Sequence, residues 1–271
     1  MMNMTPVVKQ LLIINIIFFL GSQLVPVSYE YFSLYFPENY HFKLWQPITH
    51  MFMHGGFMHI AFNMFALVSF GSALEHFWGG KKFIFFYISC GLGAALLQLG
   101  FNYYEIQSAL EGASSLGLSD ASLHHIMNVN FTDGTSYRGD LFMDGIKPIL
   151  AEAGKINLLN EVSFKSLFDA SIINQTPMVG ASGAIYGLLV AFAFMFPNAE
   201  LALMFIPVPI KAKYFVPGII AVDLFLGFQG NSLFGGGGTG IAHFAHVGGA
   251  LVGYLMMWYW KKTQFNNNRW N

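Results

Sequence analysis

Six apolar runs punctuate the chain, near residues 7–26, 57–77, 83–102, 181–197, 214–230 and 241–260. A helix crosses the hydrocarbon layer with about 20 apolar residues, and with about 17 at the short limit. The fourth run is near that limit. The fifth, Tyr214 to Gly230, is as short and is interrupted by Pro217 and Asp223. The pattern predicts an all-α integral membrane bundle of six transmembrane helices. Residues 103–176 break it, being polar, rich in Gly, Ser and Asn, and without an apolar run long enough to span. Short helices are expected there near Gly145–Gly154 and Ser163–Ile173, where apolar residues recur at spacings of three and four. The expected organisation is therefore helices 1–3 in residues 1–102, an insertion at 103–176, and helices 4–6 with a short tail in 177–271.

Composition supports the membrane reading. The chain is 55% hydrophobic and only 10% charged, with mean hydropathy +0.51. A soluble domain carries roughly 25% charged residues, so this chain has too few to cover a water-facing surface. Cationic residues set the orientation. With the N-terminus inside, Lys9, Lys81, Lys82, Lys211, Lys213, Lys261, Lys262 and Arg269 fall on inner segments, and only Lys43 on a short outer loop. That bias predicts cytoplasmic termini. The other four cations and nine of the fourteen acids lie in 103–176. This long segment is expected to be extracytoplasmic, either as a solvated loop or as a lid that recruits substrate.

A net charge of −1 gives no sign of a nucleic-acid partner, and the single Cys90 allows no internal disulfide. The first run ends without a small-residue cleavage motif, so a retained span is expected. With no extended N-terminal domain, a bacterial inner membrane is the expected location.

Polar groups inside an apolar bundle are costly and call for an explanation. His50 and His54 precede His59 and Asn63, and the last two share a helical face at the head of the second span. Helix–helix hydrogen bonding and metal chelation both fit such residues, but the zinc-protease pattern His-Glu-x-x-His is absent. Gly180-Ala181-Ser182-Gly183 opens the fourth span. Flanking glycines leave a serine hydroxyl unobstructed, and free N–H groups at a helix start can stabilise an oxyanion. The same motif fits a small-residue packing face. On the sixth span, His246 shares a face with His243, Gly249 and Gly253, and the two glycines form a Gly-x-x-x-Gly pair suited to close helix contact.

Taken together and in this order, these motifs resemble the rhomboid intramembrane serine proteases, over Trp45 to about Trp260 excluding the insertion. The resemblance implies Ser182 as nucleophile and His246 as base, a dyad with no third acidic member; Asp223 is the only acid in the fifth or sixth span. It also implies an oxyanion hole from His59, Asn63 and the Ser182 N–H, and a Tyr186 ring packed on His246. His54 becomes a loop-shaping residue, and Gly180, Gly183, Gly249 and Gly253 become supporting positions. Glu75 and Lys81-Lys82 sit at family-like distances beyond Asn63. Gln46 departs from the usual Trp-Arg of the first outer loop and puts that loop's contacts in doubt.

The implied substrates are single-pass transmembrane proteins, with no cofactor, metal or nucleic acid. The Gly235–Gly238 run is either a mobile cap or a connector. Two rivals stand beside this reading: a catalytically silent rhomboid-like binding factor, and a metalloenzyme using His50, His54, His243 and His246.

Overall fold

The structure is a computed structural model describing residues 4–203, 206–229 and 241–263, and helix accounts for 76% of it. The Gly235–Gly238 run lies outside the described residues. The chain divides into two compact units: residues 1–33, 45–98 and 178–271 form the first, and 34–44 with 99–177 the second. Residues 34–44, which the sequence pattern leaves with the first helices, thus belong with the segment after residue 98.

Long apolar helices build the first unit: α1 (Pro6–Leu24), α2 (Phe57–Trp78), α3 (Gly80–Leu110, of which residues 99–110 count with the second unit), α4 (Ser182–Met195), α5 (Ala212–Gln229) and α6 (Ile241–Thr263). Among the described residues, three are long and apolar enough to cross a membrane: α1, α2, and the helix beginning at Gly80. At 14 residues, α4 is shorter. Pro217 and Asp223 do not divide α5, which runs through both at the cost of a backbone hydrogen bond. A two-stranded antiparallel hairpin, β1 (Glu200–Leu203) and β2 (Ile206–Lys211), separates α4 from α5 and departs from the all-α expectation.

Local chemistry explains the helix ends. Pro6 opens α1, where a missing N–H removes nothing from the helix. The Glu75 carboxylate accepts from the Val7 and Val8 N–H groups and from the Thr5 hydroxyl, so an acid near the end of α2 caps the start of α1. Gly79, at φ 76°, turns the chain from α2 into α3 in a conformation that favours glycine. Trp78, Phe86 and Trp260 cluster with ring centroids 5.1–5.6 Å apart, and Lys82 lies over the Trp260 ring at 4.1 Å.

The core of this unit joins Phe83, Tyr87 and Cys90 of α3 to Leu188 and Ala191 of α4 and to Ala250 and Met257 of α6. Helices α4 and α6 pack closely on one another, and glycine makes it possible. A Cβ on Gly249 would stand 1.8 Å from the Gly183 carbonyl oxygen, and one on Gly253 would stand 2.8 Å from Gly187 Cα. On its other flank, Gly183 leaves space for Ala94, which a Cβ would meet at 2.3 Å. Backbone therefore rests on backbone, and whatever α6 carries one turn before Gly249 is held against the start of α4.

The second unit has a core of its own. Helices at Asp120–Met127, Gly139–Glu152 and Glu161–Gln175 enclose Leu116, Ile126, Phe131, Phe142, Ile146, Leu150 and Leu167, all fully buried or nearly so. The Glu161–Gln175 helix contains the one expected at Ser163–Ile173, whereas Gly139–Glu152 begins before the one expected at Gly145–Gly154 and ends two residues short of it. Asn160 and Ser163 cap the last helix reciprocally. The Asn174 amide donates to the Met127 carbonyl at 3.0 Å, and Asn39 donates to the Asn174 carbonyl at 2.9 Å, tying residues 34–44 to this unit.

Candidate active site

The head of α4 carries the candidate nucleophile. Gly180 has φ 119°, a left-handed value, and its N–H donates to the His50 carbonyl at 2.9 Å. A Cβ there would meet His59 Nε2 at 2.8 Å and Ser182 Oγ at 3.6 Å, so glycine keeps the space between histidine and serine open. Ser182 is the first residue of α4 and is half-buried. Its Oγ lies 2.9 Å from His246 Nε2. The Tyr186 ring, one turn along α4, stacks on the His246 imidazole with centroids 4.3 Å apart and planes 10° apart. A small cavity opens beside Ser182, lined by His50, Gly91, Met178, Gly180 and Ala245 among others.

The other nitrogen of His246 has a partner that the sequence resemblance does not include. The resemblance implies a pair with no acid, but His246 Nδ1 donates to Asp223 Oδ2 at 2.9 Å. The physical reason is that α5 continues through Pro217 and carries Asp223 to the Nδ1 side of the ring. Asp223 is only 5% exposed and also accepts from His243 Nδ1. A carboxylate on an apolar helix needs such partners to remain charged. The signal was available in sequence, as the one acid within the last two apolar runs.

His59 and Asn63 lie one turn apart on α2. His59 Nδ1 accepts weakly from the Gly55 N–H at 3.4 Å, which leaves Nε2 as the protonated nitrogen, on the side facing Gly180. Asn63 is 6% exposed, and its amide nitrogen is buried without a hydrogen-bond partner. An unused buried donor carries a desolvation cost of about 1–3 kcal/mol, which an incoming oxygen would relieve. His54 packs its ring on His59 at 5.1 Å and donates from Nδ1 to the Phe52 carbonyl at 3.3 Å, in the loop before α2.

That loop is held without the usual arginine. The Trp45 and Gln46 side chains both donate to the Tyr31 carbonyl, at 3.1 and 3.4 Å, and Thr49 donates to the Phe32 carbonyl at 2.8 Å. His50 donates to the Gln46 carbonyl at 2.9 Å. Burial pushes the imidazole of His50 down to about 4, and burial with the neighbouring His59 pushes that of His54 down to about 3.

Among the described residues, one set of donors has metal-ligand character: Asp223, His243 and His246, whose ligand atoms lie within 4.8 Å of one another. It includes two of the four histidines of the metalloenzyme reading and neither His50 nor His54.

The Rhomboid domain profile matches residues 41–135 and 156–263 of this chain. The match enters the 103–176 segment, which the sequence resemblance leaves out. RHOMBOID-like protein 6, mitochondrial, of Arabidopsis thaliana is 33% identical over 97 residues, 36% of this chain and 30% of its own length. Rhomboid protease AarA of Providencia stuartii is 27% identical over 170 residues, 56% of each chain. Rhomboid protein 1, mitochondrial, of Saccharomyces cerevisiae is 24% identical over 212 residues, 78% of this chain and 40% of its own length. Aligned lengths thus reach from under a third to just over half of these relatives. With a profile match across most of its length, and with the serine, histidine and glycine positions assembled at one place, this chain belongs to the rhomboid family.

Proposed function

We propose that this chain is an intramembrane serine endopeptidase that cleaves single-pass transmembrane proteins near the outer membrane face. One observation carries the reading: a serine hydroxyl at a helix start, 2.9 Å from an imidazole nitrogen whose ring is itself held in place. Ser182 attacks the substrate carbonyl while His246 Nε2 takes its proton. The tetrahedral oxyanion is received by the Ser182 N–H, His59 Nε2 and the Asn63 amide. His246 then returns the proton to the leaving amine as the C–N bond breaks. Water, entering through the cavity beside Ser182, hydrolyses the acyl-enzyme. His54 shapes the loop ahead of α2, and Gly180, Gly183, Gly249 and Gly253 bring the reacting helices together.

In this reading α1 to α6 are six spans, with both termini cytoplasmic and residues 103–176 outside a bacterial inner membrane. No cofactor, metal or nucleic acid takes part. The test is co-expression with a panel of single-pass membrane reporters, comparing wild type with Ser182→Ala, alongside fluorophosphonate labelling of the purified chain. Cleavage and labelling that vanish in Ser182→Ala support the protease. A folded wild type that neither labels nor cleaves across the panel, yet captures the reporters, would favour the silent binding factor.

A further inference from the structure

We propose that Asp223 is a positioning residue for His246, so that this chain works with three members, Ser182, His246 and Asp223. The proposal rests on the protease reading above and deepens it. An imidazole acts as base only through a nitrogen that carries a lone pair. Which nitrogen that is depends on the partner of the other. Here Nδ1 faces a carboxylate oxygen, an acceptor only, at 2.9 Å, and Nε2 faces the Ser182 hydroxyl at 2.9 Å. A carboxylate at Nδ1 requires the proton there, and this leaves the Nε2 lone pair for the serine.

The carboxylate is itself held by a second donor. Oδ1 accepts from His243 Nδ1, on the same face of α6 as His246. Tyr186 stacks on the imidazole and fixes the plane of its ring. The charge balance is simple. When Ser182 Oγ bonds to the carbonyl carbon, the carbonyl electron pair moves to oxygen, and the serine proton goes to His246 Nε2. The resulting imidazolium faces Asp223, which stays ionised throughout. That opposite charge, buried and pre-oriented, stabilises the transition state more than the neutral ground state. The titratable groups facing this set are His243 on α6, Tyr186 on α4, and His59 on α2, which lies within electrostatic reach of His246.

The same three side chains are also a potential metal trap, and the test separates the two. Full-length protein in detergent is compared as wild type, Asp223→Asn, Asp223→Glu and His243→Gln, by fluorophosphonate labelling rate and by kcat and KM on a reporter that the wild type cleaves. Asp223→Asn is expected to lower kcat by about 10²–10⁴-fold with KM within about threefold and a near-wild-type thermal midpoint. Asp223→Glu is expected to recover part of the loss.

Nitrogen-15 spectra of labelled histidine, with His246 assigned by difference from His246→Gln, read the tautomer directly. The wild type should carry its proton on Nδ1, and Asp223→Asn should shift population toward Nε2–H. A wild-type His246 protonated on Nε2 overturns the proposal even if every variant misfolds. An active wild type with Asp223→Asn within threefold of it overturns the proposal and leaves the protease reading standing. Wild type inert to both probe and reporter overturns both. Activity that is lost in EDTA and restored by zinc alone overturns the three-member assignment in favour of a metal site.

Discussion

The two units of this chain use the same ionisable residues under opposite rules. In the second unit, Arg138 pairs with Asp133 and Asp140, Lys147 with Asp144, and Lys165 with Asp169, all on side chains about one third to three quarters exposed. Water screens such pairs, and each is a small matter of surface chemistry. In the first unit, Asp223, His243 and Glu75 are each 4–5% exposed and held by built-in partners. The apolar residues invert as well. Phe131, Phe142 and Leu167 are sealed inside the second unit, whereas Ile17, Phe57, Phe65 and Phe85 face outward from the first. A buried acid in the first unit therefore marks either architecture, as Glu75 does for α1, or chemistry, as proposed for Asp223. The ion pairs of the second unit mark a surface.

The largest test of that contrast is Phe142→Ala. Phe142 is fully buried in an aromatic group with Phe131, Phe164 and Phe168. Its truncation should cost about 3–5 kcal/mol, read as faster proteolysis within residues 99–177. Fluorophosphonate labelling of Ser182 should persist. Labelling lost in step with proteolysis would break the division into two units. Next in size is Asn63→Ala, which removes the unpartnered amide of α2. Cleavage should fall about 10²–10³-fold, equivalent to roughly 2.7–4 kcal/mol, with the thermal midpoint unchanged or raised. An unchanged rate would remove Asn63 from the oxyanion assignment.

Acid provides the third test. His50 titrates near 4 when folded, below its ordinary value of 6.5, because burial outweighs the Gln46 carbonyl, which by itself favours the charged ring. Between those values the unfolded chain binds a proton that the folded chain does not. Stability from this group is complete above about pH 6.5 and declines as pH falls toward 4, by up to about 3 kcal/mol. Thermal midpoints across that window should drop for the wild type and drop less for His50→Gln. A parallel decline in both would show that the buried histidine is not the group responsible.

The helices were legible because apolar run length and glycine spacing are local properties. Ser182, His246 and Tyr186 came together because Gly249 and Gly253 announce where α6 can touch another backbone, and the structure has Gly183 and Gly187 at that place. Three features were not legible. Residues 34–44 join the second unit through the Asn39 and Asn174 amides, a contact across more than a hundred residues that no local pattern encodes. The hairpin at 200–211 was hidden by its short strands. Asp223 was visible as an acid in an apolar run, but its partner could be found only once the rotation of α5 against α6 was known. Pro217 drew attention to an interruption that the helix does not make. The resemblance supplied a two-member chemistry, and the geometry around Asp223 argues for a third.

The smallest prediction completes the contrast. Lys165 and Asp169 form an i,i+4 pair on the Glu161–Gln175 helix, with side chains 72% and 42% exposed. Lys165→Ala should change stability by no more than about 0.5 kcal/mol, and a double-mutant cycle with Asp169→Ala should give a coupling near 0.3–0.5 kcal/mol that fades in 1 M salt. The matching cycle of Asp223→Asn with His243→Gln, read on labelling rate at Ser182, should give a coupling several times larger and insensitive to salt, because neither group meets water. Equal couplings in the two cycles would mean that burial does not separate the ionisable groups of this chain into two kinds. The reason for treating Asp223 differently from Asp169 would then be gone.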